Sequence, residues 1–325
     1  MFTFLSEGAV TTSTFSDPDA VAVPLTVVGS INQDYFTFVS DFPQPGETIL
    51  AESASTGLGG KGCNQAVAAA KLGATTRFVG AVGADAVGDS AISAMRGYGV
   101  DVTGIARRAD VGTGSAYIAV SNNGENTIIV HSGANGAISV GDVSAALEAV
   151  TTGILLIQGE LPSAVNDAVA AHARGTGLPL IVNAAPIGAV SDEAISAASV
   201  LIVNESEAFD LTIRADIPAV TNHEDEALAI RDRFGTSVVV TLGAAGAAVA
   251  DKTGAWTQPA PKPDRVRDTT GAGDGFVGVL AASICAGFNL RDSVLRAVTA
   301  ASHAVTKRGI GDSYVTGPEL AALLS

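Results

Sequence analysis

Short runs of apolar residues recur down the second half of the chain: Ile154-Leu155-Leu156-Ile157, Leu180-Ile181-Val182, Val200-Leu201-Ile202-Val203 and Val238-Val239-Val240. Each is bounded by Gly or polar residues and lacks polar alternation, as expected for strands buried on both faces of a parallel sheet. Helices are predicted over Asp142–Val150 and Ser163–Arg174, between and before these runs. This alternation limits the chain to an α/β architecture, a three-layer α/β/α Rossmann-like sandwich.

Two earlier stretches break the alternation. Tyr35–Val39 with Thr48-Ile49-Leu50, and Ser115–Val120 with Thr127–Val130, read as paired strands, the second pair joined by a turn at Asn122-Asn123-Gly124. They predict a small β-sheet lid over about residues 35–56 and 113–131, the alternative being an antiparallel extension of the main sheet. The sandwich itself is expected over residues 22–325. Residues 1–21 are Thr- and Ser-rich, with no sustained apolar core, and read as a flexible extension. A signal peptide would need a basic start and an apolar core, so a cytoplasmic location is expected.

Charge narrows the partners. With 18 Lys and Arg against 33 Asp and Glu, the net charge of −15 disfavours nucleic acid and anionic membranes. Uncharged stretches are interrupted before reaching the length of a membrane span, so no transmembrane helix is expected. An anionic ligand must therefore be gripped locally, by backbone N–H groups, a Lys or a metal ion. Cys63 and Cys285 are too few for a disulfide framework, and the four His, at 131, 172, 223 and 303, lack metal-ligand spacing; His131 is set apart by its place at the end of a lid strand.

Asp268-Thr269-Thr270-Gly271-Ala272-Gly273-Asp274 leads into the apolar helix pattern of Phe276, Val277, Val279, Leu280 and Ile284. A glycine turn at a helix start aims unpaired N–H groups at an anion, and Asp274 places a carboxylate beside them. Such a pair suits phosphoryl transfer to a hydroxyl, which needs donors for phosphoryl oxygens and an acceptor for the hydroxyl proton. A plain strand-to-helix turn remains the structural alternative.

A second cluster, Gly57-Leu58-Gly59-Gly60-Lys61-Gly62-Cys63-Asn64-Gln65, precedes a helix predicted over Ala66–Leu72. It contains GxGxxG, but a dinucleotide site would need a buried strand before it, and a Walker A loop would need Ser or Thr after Lys61. Its backbone, Lys61 and Asn64 suit a polyhydroxylated ligand. Asn32 and Asp34 follow the predicted strand Leu25–Val28, and Glu160 follows Ile154–Ile157, at the strand ends where α/β sheets bind ligands. Asp34 can accept two hydroxyls or simply cap a turn. Asn204 and Glu207 fit either a capping box or a nucleotide phosphate and magnesium site. Thr241-Leu242-Gly243-Ala244-Ala245-Gly246 forms another small-residue loop after a strand.

Taken together, Gly59–Ala66 and Asp268–Asp274 resemble the two signature motifs of the ribokinase family of ATP-dependent sugar kinases, also called the PfkB group, in the expected order. The resemblance runs from Leu25 to Tyr314. It implies that Asn32, Asp34, Gly60, Lys61, Gly62, Asn64 and Glu160 contact the sugar, with D-ribose the expected substrate. Asp274 is then the base and Gly271, Ala272 and Gly273 the anion hole. Asn204, Glu207, Thr241, Gly243, Gly246 and Gly273 lie along ATP, with Glu207 serving Mg2+. Asp268, Thr270, Ala304, Lys307, Gly309 and Ser313 match a K+ site, Lys307 through its carbonyl. A homodimer through the lid is also implied. Within the family deoxyribose, a nucleoside or a ketohexose is the rival substrate; outside it, a non-catalytic sugar or nucleotide sensor. Gly275 stands where the family commonly has Thr, Ser or Ala, and Val279 where a small residue is usual.

Overall fold

The computed structural model describes residues 22–123 and 125–325. The anticipated extension over residues 1–21 and Gly124 of the hairpin turn lie outside the described residues. In chain order the strands are β1 (Leu25–Val28), β2 (Asn32–Val39), β3 (Ser53–Gly59), β4 (Thr76–Gly83), β5 (Asp101–Arg108), β6 (Gly114–Ser121) and β7 (Asn126–His131). They continue as β8 (Ile154–Gln158), β9 (Leu180–Asn183), β10 (Val200–Asn204), β11 (Ser237–Thr241), β12 (Ala247–Asp251) and β13 (Gly254–Gln258).

The apolar runs become neighbours in one sheet, ordered β13-β12-β11-β10-β9-β8-β1-β4-β5. From β11 to β5 every pairing is parallel, whereas β12 and β13 add on antiparallel. Helices cover both faces. One core holds Val67, Met95, Leu280 and Val298 against Leu156 and Val239; the other holds Val143, Val169, Leu211 and Ile230 against Leu155 and Val240. Alternate residues of the same strands thus feed opposite cores, which is why the runs carry no polar alternation. The α/β/α sandwich is as expected. Among the described residues no helix is long and apolar enough to cross a membrane.

The two interrupting stretches form a separate four-stranded sheet, ordered β3-β2-β6-β7, and do not extend the main one. Within it β2 pairs parallel with β6, while β3 and β7 flank them antiparallel. The partner of β2 is β3 at Ser53–Gly59, a correction to the expected Thr48-Ile49-Leu50. Leu50 is 92 % exposed, so apolar character there reflects no burial. A turn at Gln44–Glu47, closed by Glu47 N–H donating to the Gln44 carbonyl at 2.8 Å, precedes it.

Two helix starts also move. The predicted Asp142–Val150 helix spans Val140–Leu147, because Ser139 and Asp142 close a capping box. The helix expected at Ala66 begins at Lys61, directly after β3 and Gly60. The Gly57–Gln65 cluster is therefore a strand running through Gly60 straight into a helix. Gly57-Leu58-Gly59 is strand, and Lys61, Asn64 and Gln65 occupy the first turns of a helix.

Candidate active site

Residues at the carboxyl ends of β1, β8, β9, β10 and β11 come together because parallel strands point the same way: Asn183 stands opposite Gln158 and Ile202, and Asn204 opposite Thr241. Above this edge lies a cavity of about 160 Å³ walled by Lys61, Asn183, Asn204, Glu207, Thr241, Gly271, Gly273 and Asp274, among others. It joins the start of the Lys61–Leu72 helix to the start of the Ala272–Cys285 helix, two elements that pack side by side.

Asp274 sits in the first turn of the second helix, behind Gly271 in the left-handed conformation at φ 74°. Its two oxygens are each held by an amide from the other helix: Asn64 Nδ2 donates to Oδ2 and Gln65 Nε2 to Oδ1, both at 3.0 Å. Gly271 and Gly273 line the cavity. Ala272 does not, and its N–H donates to the Thr269 carbonyl at 3.2 Å.

From the side of the small sheet, Asn32 and Asp34 approach on β2 itself, not on a turn after β1 as their sequence position suggested. Both are buried, and being two apart they share one face of the strand. Asn135 donates through Nδ2 to Asn32 Oδ1 at 2.8 Å and to the Ile31 carbonyl, leaving the Asn32 amide nitrogen for other partners. Glu160 accepts at Oε2 from Ser30 Oγ at 2.5 Å and from the Lys61 backbone N–H at 2.9 Å. Gly62 packs so closely on the β1 end that a Cβ there would lie 2.6 Å from the Gly29 Cα.

Four carboxylates, of Asp34, Glu160, Glu207 and Asp274, and the Lys61 ammonium set the electrostatics. Burial, with Glu160 and then Asp274 adding repulsion, pushes the Asp34 carboxyl up to about 7. Asp274 first, and then Glu160 and Glu207, hold the Lys61 pKa above its ordinary value against the opposing effect of burial. Burial likewise raises the Glu207 carboxyl, although the Asn204 N–H and Lys61 pull it down. The cleft is thus an acidic pocket with one firmly charged cation at its centre.

Asn204 and Glu207 do form the capping box, Asn204 Oδ1 accepting from Glu207 N–H at 2.8 Å and Glu207 Oε2 from Asn204 N–H at 2.9 Å. The same two residues also wall the cavity, so the cap presents them there. Thr241 joins them; Gly243 and Gly246 lie just beyond, in the short turn between β11 and β12, off the cavity wall. Gly246 there meets the backbone of β13.

Asp268, Thr270 and the 304–313 loop are brought together. Asp268 accepts from Thr270 N–H at 2.9 Å and from Gly309 N–H at 3.3 Å. The Ala304 carbonyl accepts from Lys307 N–H at 3.0 Å, and the Lys307 ammonium is turned to Glu319 at 3.5 Å, away from the loop. Ser313 Oγ is buried without a hydrogen-bond partner. Of the histidines, His131 is exposed at the end of β7, and His172 bonds the Val150 carbonyl. Among the described residues no group of three His, Cys, Asp or Glu is placed to hold a metal.

Gly275 has a structural reason. A Cβ there would stand 2.9 Å from Cε1 of the buried Tyr314, whose hydroxyl donates to the Gly271 carbonyl at 3.1 Å. A glycine thus makes room for a tyrosine that props the turn before Asp274. Nothing in the structure explains Val279, which is simply buried. Sequence reasoning missed Ser30, Gln65, Asn135 and Asn183. Only Gln65, inside the glycine cluster, carried a positional signal; the other contacts span more than 100 residues or cross between strands.

Fold and cleft together define an α/β/α enzyme with a polar site at the strand ends of its main sheet and a separate small sheet. Residues 24–316 match the model of the pfkB family carbohydrate kinases. A ribokinase of Haemophilus influenzae is 33 % identical over 91 % of this chain and 96 % of its own length. A deoxyribokinase of Salmonella typhi is 30 % identical over 89 % of this chain and 95 % of its own. The solved structure of Arabidopsis thaliana ribokinase complexed with ribose and ATP superposes with a TM-score of 0.81 at 31 % identity, covering 94 % of this chain and 99 % of that one. The chain belongs to the pfkB family of carbohydrate kinases.

Proposed function

We propose that the chain transfers the γ-phosphoryl group of ATP to the primary hydroxyl of D-ribose, giving ribose 5-phosphate. The observation that carries this reading is Asp274: a carboxylate at a helix start, behind a left-handed glycine turn, facing a cavity and clamped on both oxygens by amides. Asp274 accepts the hydroxyl proton as the oxygen attacks phosphorus, and the turn of Gly271, Ala272 and Gly273 offers N–H groups to the phosphoryl oxygens. The Ala272 N–H must leave Thr269 to do so, at the expense of a long 3.2 Å bond. Lys61, kept charged by Asp274, Glu160 and Glu207, offsets the negative charge converging there.

The sugar is held from the other side by Asn32, Asp34, Gly60, Gly62, Asn64 and Glu160. Sugar hydroxyls both donate and accept, and a pocket of carboxylates and amides serves both roles. Asn204, Thr241, Gly243 and Gly246 follow ATP along the β10 and β11 ends. The donor set there, one carboxylate and one amide, suits Mg2+ shared with phosphates, and Glu207 would hold the ion, which supplies charge neutralisation. K+ would be held by the Asp268–Thr270 and Ala304–Ser313 segments, where the unpartnered Ser313 Oγ fits an oxygen-ligated cation. The exposed apolar side chains of the small sheet, Tyr117, Ile128, Ile129 and Val130, support a homodimer formed through it. The cytoplasm supplies the ATP this reaction needs.

A coupled ATP-consumption assay over ribose, deoxyribose, ketohexoses and nucleosides, each in Na+ and in K+ buffer, tests the reading. Ribose should give the highest kcat/KM, with turnover higher in K+. Preference for a nucleoside or ketohexose would sink the substrate assignment, and equal rates in both buffers the cation assignment. Solution mass at micromolar concentration decides the dimer.

A further inference from the structure

A chain of buried amides ends on Asp274 and lies outside the proposed sugar and nucleotide contacts. Gln65 is fully buried; its Nε2 donates to Asp274 Oδ1 at 3.0 Å and to Asn183 Oδ1 at 2.9 Å. Its Oε1 accepts from Gln158 Nε2 at 2.8 Å. Asn183 in turn donates through Nδ2 to the Ile202 backbone carbonyl at 3.1 Å.

These bonds fix the orientations of Asn183 and Gln65, and that of Gln158 follows from Gln65, its own Oε1 having no partner among the described residues. The Ile202 carbonyl can only accept, so Asn183 turns its nitrogen to β10 and its oxygen to Gln65. Gln65 must then present its nitrogen to Asn183 and Asp274, and its oxygen to Gln158. An inverted Gln65 amide would set oxygen against the Asp274 carboxylate and the Asn183 oxygen, and nitrogen against the Gln158 nitrogen. The carboxylate is thereby tied to three strands of the main sheet, β8, β9 and β10. Close helix packing makes the reach possible. A Cβ at Gly278, one turn beyond Asp274, would lie 2.5 Å from the Gln65 carbonyl oxygen.

We infer that Gln65 is a positioning residue for the proton-accepting carboxylate, with Asn183 holding its amide in the donating orientation and Gln158 adding a donor to its oxygen. A carboxylate with a donor on each oxygen cannot rotate freely, so the lone pairs left on its two oxygens keep a fixed direction at the cavity wall. This inference rests on the reading of Asp274 as the base.

The test is steady-state kinetics of the full-length Gln65→Met enzyme with ATP and ribose over a range of pH, beside Asp274→Asn. Methionine keeps the length and apolar volume while removing the donor. Expected is a fall in kcat on the order of 10- to 100-fold, with the ribose KM changed by less than about threefold. The acid-side limb of the kcat/KM profile should move to higher pH, because a carboxylate that loses an N–H donor holds its proton more firmly. A merely structural residue would not move that limb. A kcat within about twofold of wild type, an unmoved limb, or a loss confined to KM overturns the inference. Gln158→Met touches no atom of Asp274 and should move the limb in the same direction by a smaller step. Should Gln65→Met fail to fold, that variant decides, and an unmoved limb in it overturns the proposal. Turnover surviving in Asp274→Asn would bring down the base reading itself, whereas an inactive Asp274→Asn beside a normal Gln65→Met removes only the positioning role.

Discussion

Gly57–Asn64 and Asp268–Asp274 both run into the first turn of a helix at the same cleft, and the two helices pack against each other. In the first segment glycine removes bulk. Gly59 lies where a Cβ would fall 2.1 Å from Asp34 Oδ1, and Gly62 abuts the Gly29 backbone, so a buried carboxylate and a tight strand-to-helix junction fit. In the second, no side chain crowds Gly273, and Gly271 supplies a left-handed turn that places backbone and a carboxylate on the cavity wall. Similar composition thus serves steric exclusion in the first segment and backbone presentation in the second. Asn64 and Gln65 join the two by gripping Asp274.

The sharpest break of this comparison is chemical. Asp274→Asn should lower kcat by roughly 10²- to 10⁴-fold, the usual worth of a general base, with little change in ribose affinity measured by calorimetry. Near-normal turnover would place the base elsewhere. Next comes Gly62→Ala, which sets a methyl into backbone and should destabilise the fold by about 1–3 kcal/mol, read from denaturant midpoints. Gly273→Ala meets open space and should be tolerated in stability, so equal losses at the two positions would erase the distinction.

Asp34→Asn has the opposite sign in stability. The folded-state carboxyl is raised from 3.8 to about 7, so between those values the folded protein binds more protons than the unfolded chain. Stability contributed by that proton is present at low pH and falls as pH rises through the window. Removing the buried charge should raise Tm at neutral pH, with the gain shrinking toward pH 4, while the ribose KM rises. A Tm difference that does not grow with pH would remove the burial argument. Smallest is Tyr314→Phe, which deletes the bond to the Gly271 carbonyl and should cost about 1 kcal/mol. Its kcat should fall more than that of a distant surface variant, since the turn it props is the one proposed to bind the phosphoryl oxygens.

Much of the sandwich was legible because its signals are local. An apolar run such as Val200–Val203 is a buried strand wherever it sits, and Gly271 with Asp274 makes a helix start from adjacent residues. The small sheet was only half legible. Ser53–Gly59 is built of small and polar residues that show no strand pattern, while Thr48-Ile49-Leu50 is apolar yet exposed. Its register answers to Asn32 and Asp34 opposite Gly59 and Gly57, a pairing across a gap in sequence.

The sequence by itself determined the α/β/α class, the carboxylate at the second helix start, and the polar groups at the ends of β8, β10 and β11, because each follows from neighbours a few residues away. Tertiary structure alone decided that Asn32 and Asp34 stand on a strand of the small sheet. It also decided that Gln65 reaches a carboxylate 209 positions on, and that Gly275 makes way for Tyr314. Those contacts depend on how two helices and two sheets are packed, and packing distance has no local signature in the chain.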